Sequence, residues 1–108
     1  MKISKELIKG STSILVLSVL ENEDLYGYKI IKEIEDRSEK VFELKEGTLY
    51  PILHALEQED YLESYWDEYD SRKRKYYHLT KKGKKQLADK KQEWKTFTKS
   101  VNNVLGFA

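Results

Sequence analysis

Residues 61–80 read YLESYWDEYDSRKRKYYHLT, and this stretch decides the fold. Its two ends, residues 61–69 and 75–79, are rich in aromatic side chains that alternate loosely with polar ones, a pattern typical of β-strands. The polar residues 70–74 between them, with the sequence DSRKR, form turns readily. The stretch therefore predicts a β-hairpin with a basic tip.

Two helical segments are predicted near the amino terminus. In residues 5–21 the apolar side chains recur at helical spacing, and the second half is apolar nearly all round, so it should be buried on more than one side. Residues 26–38 carry a narrower apolar stripe. Asp24 is placed to cap the helix that this stripe predicts.

A third helix is predicted directly before the hairpin. Residues 41–44 alternate in polarity, which indicates either a short strand or an extended turn. Thr48 is the predicted cap of the helix that follows, and Pro51 would then occupy its third position, where a missing N–H breaks no bond. The helix should end near residues 59–60.

A long fourth helix should follow the hairpin, from Lys81 to about Leu105, with Thr80 as its cap. Apolar residues on this helix recur at the spacing of a coiled-coil seam: Leu87, Trp94, Phe97, Val101 and Val104. Because so small a domain cannot bury this seam by itself, we predict that the seam forms a dimer interface with a second copy of the chain. Packing of the seam on the first helix of the same chain is the alternative.

The order helix, helix, helix, hairpin, long helix predicts the fold class: mainly α with a small β-hairpin (α+β). It is the order of a winged helix-turn-helix, in which the third helix enters the DNA major groove and the hairpin touches phosphate beside it. Residues 1–80 would form the DNA-binding domain, and residues 81–108 a dimerisation helix that forms one unit with the first helix.

Charge is segregated along the 108 residues, although the net charge is only +1. Residues 21–70 hold five basic and sixteen acidic side chains, whereas residues 71–108 hold twelve basic and two acidic ones. Such segregation indicates a polyanionic partner or a second, acidic protein surface. The winged helix-turn-helix order favours double-stranded DNA as the partner. The alternative is that the basic residues pair with the acidic middle of the same chain.

Several classes of protein are excluded or disfavoured. The chain has no cysteine, which excludes disulfide scaffolds and thiol catalysis. The two histidines show no metal-binding spacing and there is no glycine-rich phosphate loop, so no catalytic residue, metal ion or cofactor is predicted. The longest apolar run, residues 14–20, is far shorter than the roughly 20 residues of a membrane span. No secretory leader is evident, so a cytoplasmic protein is expected.

The predicted DNA contacts lie on two elements. On the third helix, Tyr50 and His54 are four residues apart and share a face, with Thr48 at its start. On the hairpin the cluster comprises Arg72, Lys73, Arg74 and Lys75, whose charges suit phosphate or a narrow minor groove. The alternatives are that Tyr50 is an aromatic residue at the edge of the core, that His54 is a plain surface residue, and that the cations serve solubility.

Three motifs resemble the PadR family of bacterial transcriptional regulators, across essentially the whole chain. They are LYGYKI at residues 25–30, GTLYPIL at residues 47–53 and RKYYHLTKKG at residues 74–83, with Leu56-Glu57 at the end of the third helix. The short chain is similar to the small subgroup with a single C-terminal helix. Unlike many members, it has no basic residue at His54 or Ala55.

The resemblance implies a homodimeric repressor that binds an inverted-repeat operator and is released by a ligand. In members of the small subgroup, the tryptophan that matches Trp94 lines a pore at the dimer interface, which takes flat hydrophobic or phenolic molecules. Carried over by position, Ser13, Ile14 and Leu17 would face that ligand together with Trp94. Lys90 and Lys91 depart from the smaller or apolar pore residues of the subgroup. The rival interpretation is a winged-helix module that binds protein rather than specific DNA.

Overall fold

A computed structural model describes residues 2–69 and 72–107. These residues form seven elements: α1 (Lys5–Val19), β1 (Leu25–Tyr26), α2 (Gly27–Arg37), α3 (Glu46–Gln58), β2 (Leu62–Tyr69), β3 (Arg72–Leu79) and α4 (Lys81–Leu105). The strands make one antiparallel sheet in the order β1-β3-β2. The predicted α+β fold class and winged helix-turn-helix order are confirmed, with the β2–β3 hairpin as the wing.

The prediction that Asp24 caps α2 is wrong. The helix begins after Tyr26, whose side chain makes no capping bond. Residues Leu25 and Tyr26 instead form the short strand β1, which pairs with Tyr77 and Tyr76 of β3. Asp24 is thereby held beside the sheet, where its carboxylate binds side chains of the wing.

The start of α3 also differs from the prediction, because the helix begins at Glu46 rather than after Thr48. Lys45 is the last extended residue, and its carbonyl accepts the first helical bonds from Thr48 and Leu49. Residues 41–44 form an irregular connection rather than a strand, anchored by the buried Leu44. Pro51 is therefore the sixth helical residue, and the carbonyl four residues before it is left without that partner.

The wing is longer than predicted and includes most of the residues assigned to its tip. β2 and β3 pair from Leu62 opposite Leu79 to Tyr69 opposite Arg72. The predicted turn residues Asp70 and Ser71 lie outside the described residues. Arg72, Lys73 and Arg74, predicted in the turn, are strand residues, because they pair with Tyr69, Glu68 and Asp67 of β2.

One apolar core joins all four helices to the sheet. Its fully buried members include Val16, Leu20, Ile30, Leu49, Leu53, Tyr77, Leu79 and Leu87. The Thr80 hydroxyl accepts a hydrogen bond from the Gly83 backbone N–H at 2.9 Å, so the predicted cap of α4 is confirmed. A Cβ at position 83 would collide with the Tyr61 carbonyl oxygen, because the first turn of α4 lies directly against the α3–β2 connection.

The molecule is elongated for its length. Its radius of gyration is 15.1 Å, where a compact chain of this size would have about 13 Å. The elongation accompanies α4, a helix of 25 residues whose second half holds no buried residue. That half of α4 carries the apolar seam from Trp94 onwards.

Candidate nucleic-acid interface

The three residues predicted to contact DNA from α3 lie on different parts of its surface. Leu49, Leu53 and Leu56 define the buried side of the helix. At about 100° per residue, His54 falls on the opposite, solvent side, with Tyr50 about 40° from it. Thr48 lies about 160° from Tyr50, on the other rim of the exposed face. A duplex facing α3 would therefore meet His54 near the middle and the other two at the sides.

Tyr50 is held at its rim by the start of α2. A Cβ on Gly27 would lie 2.5 Å from the Tyr50 hydroxyl oxygen, so a larger residue at position 27 would require this ring to shift. The ring is 36% exposed. The tyrosine thus packs at the edge of the core, as the alternative interpretation held, and still presents an accessible edge beside α3.

The acidic end of α3 is tied to the wing. Glu57 accepts a hydrogen bond from the Ser64 hydroxyl at 2.8 Å and lies 3.9 Å from the ammonium of Lys75. The carboxylate is therefore partly neutralised by β2 and β3. This contact lowers the repulsion that a phosphate would meet at this end of the helix.

The four cations of the wing separate into two pairs. Lys75 is engaged by Glu57, and the Arg74 guanidinium lies 4.4 Å from the centre of the Tyr26 ring. Both are half-buried, whereas Arg72 and Lys73 are exposed at the far end of β3. Pairing with the acidic middle of the chain therefore accounts for Lys75, and Arg72 and Lys73 are the accessible cations.

A polar network fixes the base of the wing, and it joins residues far apart in the chain. The Tyr65 hydroxyl donates to one oxygen of Asp24 at 2.7 Å, and Nδ1 of His78 lies 2.7 Å from the other. Although burial acts to raise it, the hydrogen bonds from Tyr65 and His78 hold the pKa of Asp24 below its ordinary value. The hydrogen bond to Asp24 also raises the pKa of Tyr65 to about 12.

The residues predicted to hold a ligand line one groove between α1 and α4. Ser13, Ile14, Leu17 and Trp94 all contribute to this α1–α4 groove, whose volume is about 500 Å³. Lys90 also lines it, but its ammonium lies 3.3 Å from Glu93, so the rim carries an ion pair rather than a bare charge. Lys91 is directed to Glu21 instead, at 3.0 Å.

The apolar seam of α4 is exposed from Trp94 onwards. The exposed fractions are 43% for Trp94, 57% for Phe97, 36% for Val101 and 87% for Val104. Leu87, the remaining member, is 1% exposed and packs in the core of its own chain. The surface that a second chain could cover therefore begins at Trp94.

This architecture and these motifs match known proteins. A family model described as the transcriptional regulator PadR-like family matches residues 16–89. The chain belongs to the PadR-like family. It is also 37% identical over 93 residues to a protein of Lysinibacillus sphaericus, covering 85% of both chains.

Solved structures agree with the PadR-like assignment. A transcriptional regulator from Clostridium thermocellum superposes with a TM-score of 0.85 at 36% identity, covering 94% of this chain and 96% of the other. A PadR family regulator from Eggerthella lenta gives 0.82 at 34% identity, covering 93% and 86%. One from Clostridium difficile gives 0.78 at 42% identity, covering 89% and 99%.

The PadR-like chain is thus a DNA-binding transcriptional regulator rather than an enzyme. Over the residues that the structure describes, no helix is long and apolar enough to cross a membrane. The sequence did not predict the link of Asp24 to Tyr65 and His78. These two partners lie 41 and 54 positions after Asp24 in the chain, and no local pattern connects residues so far apart.

Proposed function

We propose that this PadR-like regulator is a homodimeric repressor of an inverted-repeat operator. The observation that carries the proposal is the exposed apolar seam on the projecting half of α4, which a two-fold partner would bury. In this arrangement residues 1–80 bind DNA and residues 81–108 dimerise, within the cytoplasm. A dimer seated on a promoter obstructs polymerase, which makes repression the expected output.

The DNA contacts divide between α3 and the wing. Tyr50, His54 and Thr48 carry hydrogen-bond donors and acceptors, which suit base edges in the major groove. The wing cations suit flanking phosphates, with Arg72 and Lys73 as the main contacts because Arg74 and Lys75 are engaged within the chain. Two copies would place their α3 helices in successive major grooves, about 34–36 Å apart.

The α1–α4 groove is the proposed site of a flat hydrophobic or phenolic effector. Trp94 offers a partly exposed ring for stacking, and Ile14 and Leu17 supply apolar walls. The groove adjoins the seam, so a ligand between two protomers would alter the spacing of their α3 helices. That change would release the operator if the ligand prefers the arrangement that fits DNA poorly.

Selection of bound oligonucleotides from a random pool tests the operator proposal. We expect an enriched sequence with two-fold symmetry, and loss of affinity with a flatter salt dependence in the R72A/K73A variant. The Lys95→Ala and Lys99→Ala changes on α4 are the matched control, because they remove two cations away from the wing. Enrichment of no sequence, with binding no steeper in salt than background, would favour the protein-binding module instead.

Binding of a planar dye monitored by tryptophan fluorescence tests the effector site. Trp94→Phe should abolish the quenching that a dye in the groove causes, whereas Trp66→Phe on the wing should preserve it. Quenching that disappears only with Trp66 would place the dye elsewhere.

A further inference from the structure

A second large groove lies between the first part of α1 and the connection from α2 to α3. Its volume is about 1070 Å³. Five lysines line it, namely Lys2, Lys5, Lys9, Lys40 and Lys45, together with one carboxylate, Glu43, among the described residues. We call it the lysine groove. Neither the family motifs nor the wing cluster includes any of these lysines.

The lysines of this groove are not used for internal pairing. Within residues 2–69 and 72–107, no ion pair joins any of the five to a carboxylate, whereas Lys32, Lys75, Lys85, Lys90 and Lys91 all have one. Glu6, Glu39 and Glu46 are close in sequence but do not line the groove. Like charges brought together without partners cost free energy, and an anion bound among them removes that cost.

The position of the groove identifies the anion. Thr48 and Ile52 line the groove from α3, and both lie on the side of that helix opposite Tyr50 and Glu57, which face α2 and the wing. An α-helix with its side chains, about 10–12 Å across, fills a major groove about 12 Å wide. Each side of α3 therefore meets one of the two phosphate rows that border the groove.

We propose that the lysine groove binds the sugar–phosphate strand on the side of α3 away from the wing. The proposal rests on the DNA-binding function proposed above and adds a second cationic surface to it. The lysine rim matches the phosphates, and the apolar floor formed by Ile8, Val41 and Leu44 matches the deoxyribose rings between them. The helix itself carries no Lys or Arg, so its two flanks supply the charge.

The backbone at Lys40 gives an independent indication that this side chain is used. Glu39 and Lys40 both adopt left-handed conformations, with φ of 53° and 67°. A glycine would adopt this turn without the steric cost that a side chain incurs. A lysine at such a position is consistent with a role for its charge rather than for its backbone.

The salt dependence of binding to a fluorescein-labelled duplex of about 30 base pairs, roughly three helical turns, tests the proposal. Each phosphate contact contributes about 0.9 to the slope of log K against log salt. The K5Q/K9Q variant removes two contacts per protomer, so its slope should be flatter by roughly 3.6 in a two-protomer complex. The matched control is K95Q/K99Q, which makes the same charge change on α4 and should keep the wild-type slope.

Lys40→Gly separates charge from stability. We expect a melting temperature at least equal to that of the wild type, because the strained turn is relieved, together with a slope flatter by roughly 1.8 per dimer. Slopes of K5Q/K9Q and K40G equal to the control would overturn the proposal and leave the groove to another occupant, such as a protein or an anionic amphiphile. Absence of duplex binding by the wild type itself would instead defeat the DNA-binding function on which the proposal rests.

Discussion

Truncation of Phe97 gives the most direct test of the α4 seam. The side chain is 57% exposed in the single chain. A phenylalanine buries about 200 Å² when fully covered, so a partner could cover about 115 Å² more, which corresponds to about 3 kcal/mol at 25 cal/mol per Å². A two-fold dimer contains two copies of Phe97, so the burial energy doubles. We then take half of this total, because the partner covers each ring incompletely. Phe97→Ala should therefore weaken the dimer by about 3 kcal/mol, a roughly 150-fold rise in Kd.

Sedimentation velocity over a dilution series measures this change directly. Lys99→Ala is the matched control, since at about 100° per residue it lies on the side of α4 opposite the seam and should leave Kd unchanged. The melting temperature of the wild type should also rise with protein concentration, and that dependence should shift to higher concentration in Phe97→Ala. A Kd within threefold of the wild type for Phe97→Ala, with both proteins folded, would refute the assignment of this seam to a dimer.

Three further predictions concern the fold, the base of the wing and α3. Gly83→Ala should destabilise the chain by about 1–3 kcal/mol, because its methyl group meets the Tyr61 carbonyl. Gly10→Ala has open space around its Cβ and should stabilise the chain by about 0.5–1 kcal/mol. Calorimetry would show opposite shifts in Tm for the two variants. Asp24→Asn should be less stable than the wild type near neutral pH. Because folding lowers the pKa of Asp24, the contribution of its carboxylate to stability is present above the ordinary pKa of 3.8 and is lost as pH falls through the pKa of the folded state. A difference in unfolding free energy between the two proteins that stays constant down to low pH would contradict this. His54→Ala should change the selected operator at one position per half-site, by about 1–3 kcal/mol, without changing the salt slope, and an altered slope would indicate a phosphate contact instead.

The structural elements that the sequence predicts correctly are those with a long or chemically distinctive residue pattern. Helix α4 was predicted from Lys81 to about Leu105, as observed, because the apolar periodicity from Leu87 to Val104 and the Thr80 cap define it. The wing was predicted because two aromatic segments flank a polar one. Both patterns are local in the sequence, so they can be recognised without knowing which distant residues the two elements contact.

The features that the sequence did not reveal depend on distant contacts. β1 is only two residues long and exists because β3 offers an edge to pair with, so it has no periodicity of its own. Asp24 looked like a helix cap until the sheet placed Tyr65 and His78 within reach of it. Thr48 looked like a cap because the local pattern does not show that Leu44 is buried, and this anchor lets the helix begin earlier. The lysine groove likewise joins residues more than thirty positions apart.

The distribution of charge and the fold together explain why α3 can bind DNA without a Lys or Arg of its own. The acidic middle of the chain includes α3, and its Glu57 is held by Lys75 of the wing rather than left facing solvent. Charge for the phosphates then comes from Arg72 and Lys73 on one side of α3 and from the lysine groove on the other. Affinity from the flanks and recognition from hydrogen-bonding groups on α3 are separable, because phosphate contacts carry no sequence information whereas hydrogen bonds to base edges do. Such a division lets the residues on α3 change without loss of general affinity for DNA.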